Sequence, residues 1–253
     1  MKFKTTLLLV FLVGVNHLFA QTDTTKVPSF FSGQITATNN GVSLIPSFSL
    51  GKPAVLFDLS IGKGRLSFDP MFRFGMDGKP WAFIFWWRYK AIQQKNFKMS
   101  VGAHPAFVFR SEEANINGVN TSYLKAQRFF AWEATPTLSV HKNIAFGISY
   151  LGSTGLTKDV TQSTTFVAFK TVFSNLSLHK NWQATIIPQF FYLKMDDLDG
   201  TYLSGSLVLS KKKSPFTLTT IFSKKLRSAL AGDDLLWSVG LNYNFNHQFR
   251  RIN

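Results

Sequence analysis

The chain has 253 residues, no cysteine, and 28 Lys and Arg against 13 Asp and Glu, a formal charge of +15. The missing thiols exclude disulfides and thiolate metal sites. Aromatics are dense, with 27 Phe and 6 Trp, and charged residues make up only 16 %, a balance suited to a surface facing a bilayer rather than water.

The first residues read as a targeting signal. Lys2 and Lys4 precede an apolar stretch over residues 6–15, and Phe19-Ala20 precedes a polar run from Gln21. This pattern predicts a secretory signal over 1–20, cut after Ala20. The competing reading, a membrane anchor, needs a longer apolar run than one broken by Asn16 and His17. Without Lys2 and Lys4, 26 basic residues face 13 acidic ones, a charge of +13. In a cytoplasmic chain that excess suggests nucleic acid. In an exported chain it suggests lipid phosphates or anionic solutes, and no nucleic-acid partner is expected.

Residues 21–40 are expected to be a periplasmic lead or a partial plug. Ser29–Thr38 has a strand-like pattern. A further spanning strand would break the even count expected of the region behind it.

From Val42 to Phe245 the chain repeats a stretch of about ten residues that alternates apolar or aromatic with small or polar. Twelve strands are predicted, near 42–50, 54–61, 65–75, 81–90, 97–110, 124–139, 144–152, 165–178, 182–194, 202–210, 216–224 and 236–245. In the fourth, Trp81, Phe83, Phe85, Trp87 and Tyr89 share one face, and Ala82, Ile84, Trp86, Arg88 and Lys90 share the other. In the last, Trp237, Val239, Leu241, Tyr243 and Phe245 alternate with Ser238, Gly240, Asn242 and Asn244. A soluble β-sandwich would alternate too, but with its aromatics inward.

Charges segregate by connection. The short turns carry Lys63, Lys95, Lys142, Lys180 and Lys211 to Lys213. The other connections carry Asp77, Glu112, Glu113, Asp159, Asp196, Asp197, Asp199, Asp233 and Asp234, nine of the thirteen acids. This predicts a barrel with basic periplasmic turns and acidic outer loops. The echo between Ser139-Val140-His141-Lys142-Asn143 and Ser177-Leu178-His179-Lys180-Asn181 marks equivalent turns. Pro46, Pro70, Pro105, Pro136 and Pro188 fall inside predicted strands. They are expected to sit at bulges, since proline cannot donate to a ladder.

The pattern over 42–245 resembles the Gram-negative outer-membrane β-barrel class, porin-like, without a motif that selects one functional family. The resemblance implies an even-stranded antiparallel barrel over 41–253, in the outer membrane and in contact with its lipids. Such barrels usually end on an aromatic residue, whereas here Phe245 and Phe249 precede a final Asn253.

Strand parity puts Asp58, Asp69 and Glu133 in the lumen with Arg73, Arg88, Lys90, Lys98 and Lys170. The five cations are candidates for setting a mild anion preference in a narrow channel for small hydrophilic solutes. The alternative is that these charges pair and seal the lumen, leaving a closed barrel with a structural or assembly role. Asp58, Asp69, His104 and Glu133 fall at similar heights and are expected to form a polar network. A metal site is not expected, because no spacing enforces ligand geometry. No cofactor is expected. A lipid-modifying enzyme would lean on His104, but no nucleophile motif accompanies it.

Overall fold

The computed structural model describes residues 28–43, 45–116 and 119–249. The expected signal over 1–20 lies outside the described residues.

Twelve antiparallel strands close on themselves. They are β1 (Ser29–Thr38), β2 (Ala54–Lys63), β3 (Leu66–Gly75), β4 (Pro80–Gln93), β5 (Phe97–Ile116), β6 (Val119–His141), β7 (Ile144–Gly155), β8 (Ser163–His179), β9 (Trp182–Met195), β10 (Leu198–Lys211), β11 (Phe216–Ser228) and β12 (Leu235–Phe249). Each pairs with its sequence neighbours, and β1 pairs with β12 to complete the ring. The lengths, mostly 10 to 17 residues, suit tilted strands that cross a bilayer. β5 and β6, with 20 and 23 residues, form a taller hairpin at the acidic end.

The count of twelve agrees with the sequence, but its first member does not. Ser29–Thr38 is a barrel strand, not a lead or plug. It is hydrogen-bonded through all ten residues to β12 on one side and β2 on the other. Its inward side chains continue a polar seam. Thr38 Oγ1 lies 3.1 Å from Ser238 Oγ, Thr36 Oγ1 donates to Asn242 Oδ1 at 2.8 Å, and Gln34 Nε2 donates to Asn244 Oδ1 at 2.8 Å.

The predicted strand at 42–50 is instead the connection between β1 and β2. Pro46–Phe48 makes a single 3-10 turn there. The ends of the segment are clamped together by Gly41 N–H to Lys52 O and Leu50 N–H to Gly41 O. Its alternating apolar residues imitate a strand, but Pro46 removes a donor and starts the turn. A Cβ on Gly41 would come within 3.0 Å of Leu50 and of the Trp81 ring, so only glycine lets the chain double back here.

The prolines do not sit at bulges. Met99 pairs with Pro136, Pro105 with Phe130, Pro70 with Phe85 and Pro188 with Gly205, all in unbroken register. Each strand residue points its N–H at only one neighbour, so proline weakens only that side. The pairing is interrupted there, between β2 and β3, β4 and β5, β6 and β7, and β8 and β9. Registers shift elsewhere, as at Arg73/Phe74 against β4. That shift leaves Trp81 unpaired and turns its ring inward, where it is buried, contrary to its expected place on the outer face.

The outer wall is greasy. Trp87, Trp132, Phe169, Phe190, Trp237 and Leu241 are each more than two-fifths exposed. Short turns hold the lysines at one end, and the acids ring the other, partly paired with lysines of their own. Lys52 meets Asp77 at 2.6 Å, Lys125 joins Glu112 and Asp159, and Lys225 meets Asp234 at 3.6 Å. Hydrogen bonding by Lys125 holds the Asp159 carboxyl below its ordinary value.

Deleting residues 29–38 should leave β2 and β12 as open edges and abolish the heat-modifiable folded form on electrophoresis. A dispensable lead would leave that form intact.

Candidate functional site: the lumen and its inner segment

The inner face divides into two zones. Toward the acidic rim the walls are apolar, and the β1–β2 segment fills the space between them. Ile45 packs into a cluster with Phe166, Phe191, Leu193 and Tyr202 on one wall. Phe48 bridges to Phe129 on the wall formed by β4 to β6, with ring centroids 5.5 Å apart. Polar contacts pin the backbone. Trp81 Nε1 donates to Phe48 O at 2.9 Å, Arg110 Nη2 donates to Ser47 O at 2.7 Å, and Ser47 Oγ contacts Met195 Sδ at 3.4 Å.

Below this segment the charges lie in two groups. Arg73 Nη2 reaches Asp58 Oδ1 at 3.4 Å across β2 and β3. Arg88 is held twice: its Nε donates to Glu133 Oε1 at 2.6 Å and its Nη1 to Asp69 Oδ2 at 3.0 Å. Ser60 and Ser67 donate to the same Asp69 carboxylate. Arg88 spans from β4 over β5 to β6 because Gly102 lies between. A Cβ there would come within 3.1 Å of Arg88 Cγ and 3.3 Å of Glu133 Oε1. Trp86 sits between partners, with the Arg88 guanidinium 4.4 Å from its ring and the His104 ring centroid 3.9 Å away at a tilt.

The predicted network is thus brought together in part. Asp69 and Glu133 share Arg88, Asp58 belongs to Arg73, and His104 joins through Trp86 rather than through a carboxylate. His104 is buried, and its Nδ1 has no hydrogen-bond partner. Among the described residues, no three His, Asp or Glu side chains are grouped to hold a metal ion.

The five candidate cations separate. Arg73 and Arg88 are tied to carboxylates. Among the described residues, no ion pair reaches Lys90, Lys98 or Lys170. Lys90 lies over the Phe30 ring at 5.7 Å, and Lys98 is exposed near the basic end. Lys170 faces a space of about 390 Å³ whose lining also includes Arg88, Ser100, Glu133, Thr135, Thr137 and Gln189. The inner segment was missed in the sequence. Its one signal is Pro46 inside an otherwise regular alternation.

A closed ring of strands with apolar side chains outward and a charged, hydroxyl-rich interior satisfies the requirements of a bilayer-spanning sheet. The chain folds as a closed twelve-stranded β-barrel with an apolar outer wall, the architecture of a membrane-spanning barrel. No protein-family model matches it, and no curated protein does. Among solved structures it is similar in fold to OmpT, an outer membrane protein of Vibrio cholerae, at 9 % identity and a TM-score of 0.40, covering 89 % of this chain and 99 % of that one. An outer membrane channel from Pseudomonas putida F1 aligns at 9 % identity and a TM-score of 0.47, over 89 % of this barrel and 96 % of that chain. OprD from Pseudomonas aeruginosa aligns at 11 % identity and a TM-score of 0.37, over 87 % and 66 %.

The Arg88 cluster makes a stability prediction. Glu133→Gln replaces one of the two anionic acceptors of Arg88 by a neutral one while Asp69 still holds the guanidinium, and should destabilise the folded barrel by about 1 kcal/mol. Urea unfolding from lipid vesicles reads this directly; an unchanged midpoint would mean the pair contributes nothing.

Proposed function

We propose that the barrel is a narrow channel for small hydrophilic solutes with a mild preference for anions. In this conformation it is occluded by the β1–β2 segment. The observation that carries the reading is the polar space around Lys170. Hydroxyl and amide side chains line it beside Arg88 and Glu133, which are paired with each other, and among the described residues no carboxylate lies within ion-pair distance of Lys170. A cation in a low-dielectric channel draws anions into it. On this reading Lys90, Lys98 and Lys170 set the preference. Arg73 and Arg88 hold the wall, because their charge is already met by Asp58, Asp69 and Glu133. On this reading the three lysines supply the positive charge that the carboxylate-paired Arg73 and Arg88 do not.

A second reading, a sealed barrel with a structural or assembly role, draws on the inner segment, which touches both walls. The two readings part on conductance. In planar bilayers under a salt gradient the wild type should show small or rare steps. A variant with residues 42–50 replaced by a short Gly-Ser linker should show discrete, larger ones. Lys170→Glu in that background should move the reversal potential toward cation preference. Silence from the folded, heat-modifiable linker variant would favour the sealed barrel.

A further inference from the structure

Directly beneath the inner segment lies a second, different space. It has a volume of about 260 Å³, and its walls include Phe48, Trp81, Ile84, Trp86, Val108 and Phe129. Apolar cavities of about 150 Å³ are large enough to take up benzene. Two polar atoms on its lining residues are buried and lack a hydrogen-bond partner, Nδ1 of His104 and Nε of Arg73. A buried polar atom without a partner is unfavourable, and a ligand that supplies one relieves it. His104 is only 6 % exposed, so bulk water has little access to it. The Trp86 ring against it is held by Arg88.

The charges nearby define the ligand further. Arg73 and Arg88 stand against Asp58, Asp69 and Glu133, a group with one net negative charge. An additional carboxylate or phosphate would add repulsion in a site of low dielectric. A hydroxyl or carbonyl would not.

We propose that this cavity is a binding site for a small neutral molecule with an aromatic or alicyclic body and one hydroxyl or carbonyl group. The body packs between Trp81, Trp86 and Phe129, and the polar group meets His104 and Arg73. Phe48 forms the roof, so the inner segment closes over the bound molecule.

The probe is para-cresol, with toluene and benzoate as comparisons. Each is titrated by equilibrium dialysis against the folded full-length barrel in lipid nanodiscs, with empty nanodiscs as reference. Para-cresol should bind saturably. Ala106→Trp and Leu151→Trp each fill the cavity from a different strand and should weaken binding by tenfold or more, as overfilled sites do. His104→Leu should weaken para-cresol by about tenfold, the loss of one hydrogen bond, and leave toluene unchanged. Benzoate should bind more weakly than para-cresol. Cavity-filled variants that still fold, run heat-modifiable and bind para-cresol like the wild type would overturn the proposal. So would benzoate binding as tightly as para-cresol. Binding is read without conductance, so a sealed barrel tests this site equally well.

Discussion

Backbone hydrogen bonding in hydrocarbon is the constraint on which the rest of the structure depends. Inside a bilayer no water satisfies a free N–H or C=O, so a sheet can span only if it has no edge. Here the ring is completed by β1, which is paired along its whole length with both β2 and β12. Its inward Thr and Gln side chains continue the polar seam of Asn242 and Asn244, so closure is matched in side chains as well as in backbone. The same constraint explains how Pro70, Pro105, Pro136 and Pro188 are tolerated. Each interrupts its ladder on one side and keeps register on the other, so closure survives.

Closure frees the interior for other chemistry. The β1–β2 segment carries its own hydrogen bonds and puts Ile45 and Phe48 among apolar walls near the acidic rim. Deeper in, Arg88 gathers carboxylates from β3 and β6, and Arg73 takes one from β2. These pairs fix one side of the wall and use up the arginine charge. What is left over is selective by position. A lysine faces a space that it shares with hydroxyl side chains and the Arg88–Glu133 pair, and an apolar cavity with unpartnered His104 and Arg73 atoms lies under the segment.

Much of this is legible in the sequence because a strand's two faces follow from a period of two. The even count, the greasy outer wall, the segregation of lysines and acids to opposite ends, and the inward placement of Asp58, Asp69, Glu133, Arg88 and Lys170 all follow from that period. What fails is what periodicity cannot distinguish. Residues 42–50 alternate like a strand, yet fold inward because Gly41 and Pro46 let them turn back. Ser29–Thr38 alternates less strongly, with Gly33 and Ala37 on its outer face, yet completes the ring. A one-residue register shift beside Trp81 reverses its face, and parity gives no warning of a shift. The division of cations into paired arginines and unpaired lysines is also invisible in one dimension, since it depends on side-chain reach across Gly102.

The central claim is that the β1–β2 segment sits inside a closed barrel, and its contact between Ser47 and Met195 offers the most direct measurement. The chain has no native cysteine, so Ser47→Cys combined with Met195→Cys gives a background-free pair. In lipid vesicles, a short bis-maleimide should join the two within one chain, detected as a change in electrophoretic mobility of the folded barrel. A folded barrel whose two cysteines stay accessible to thiol reagents and never join would contradict the account.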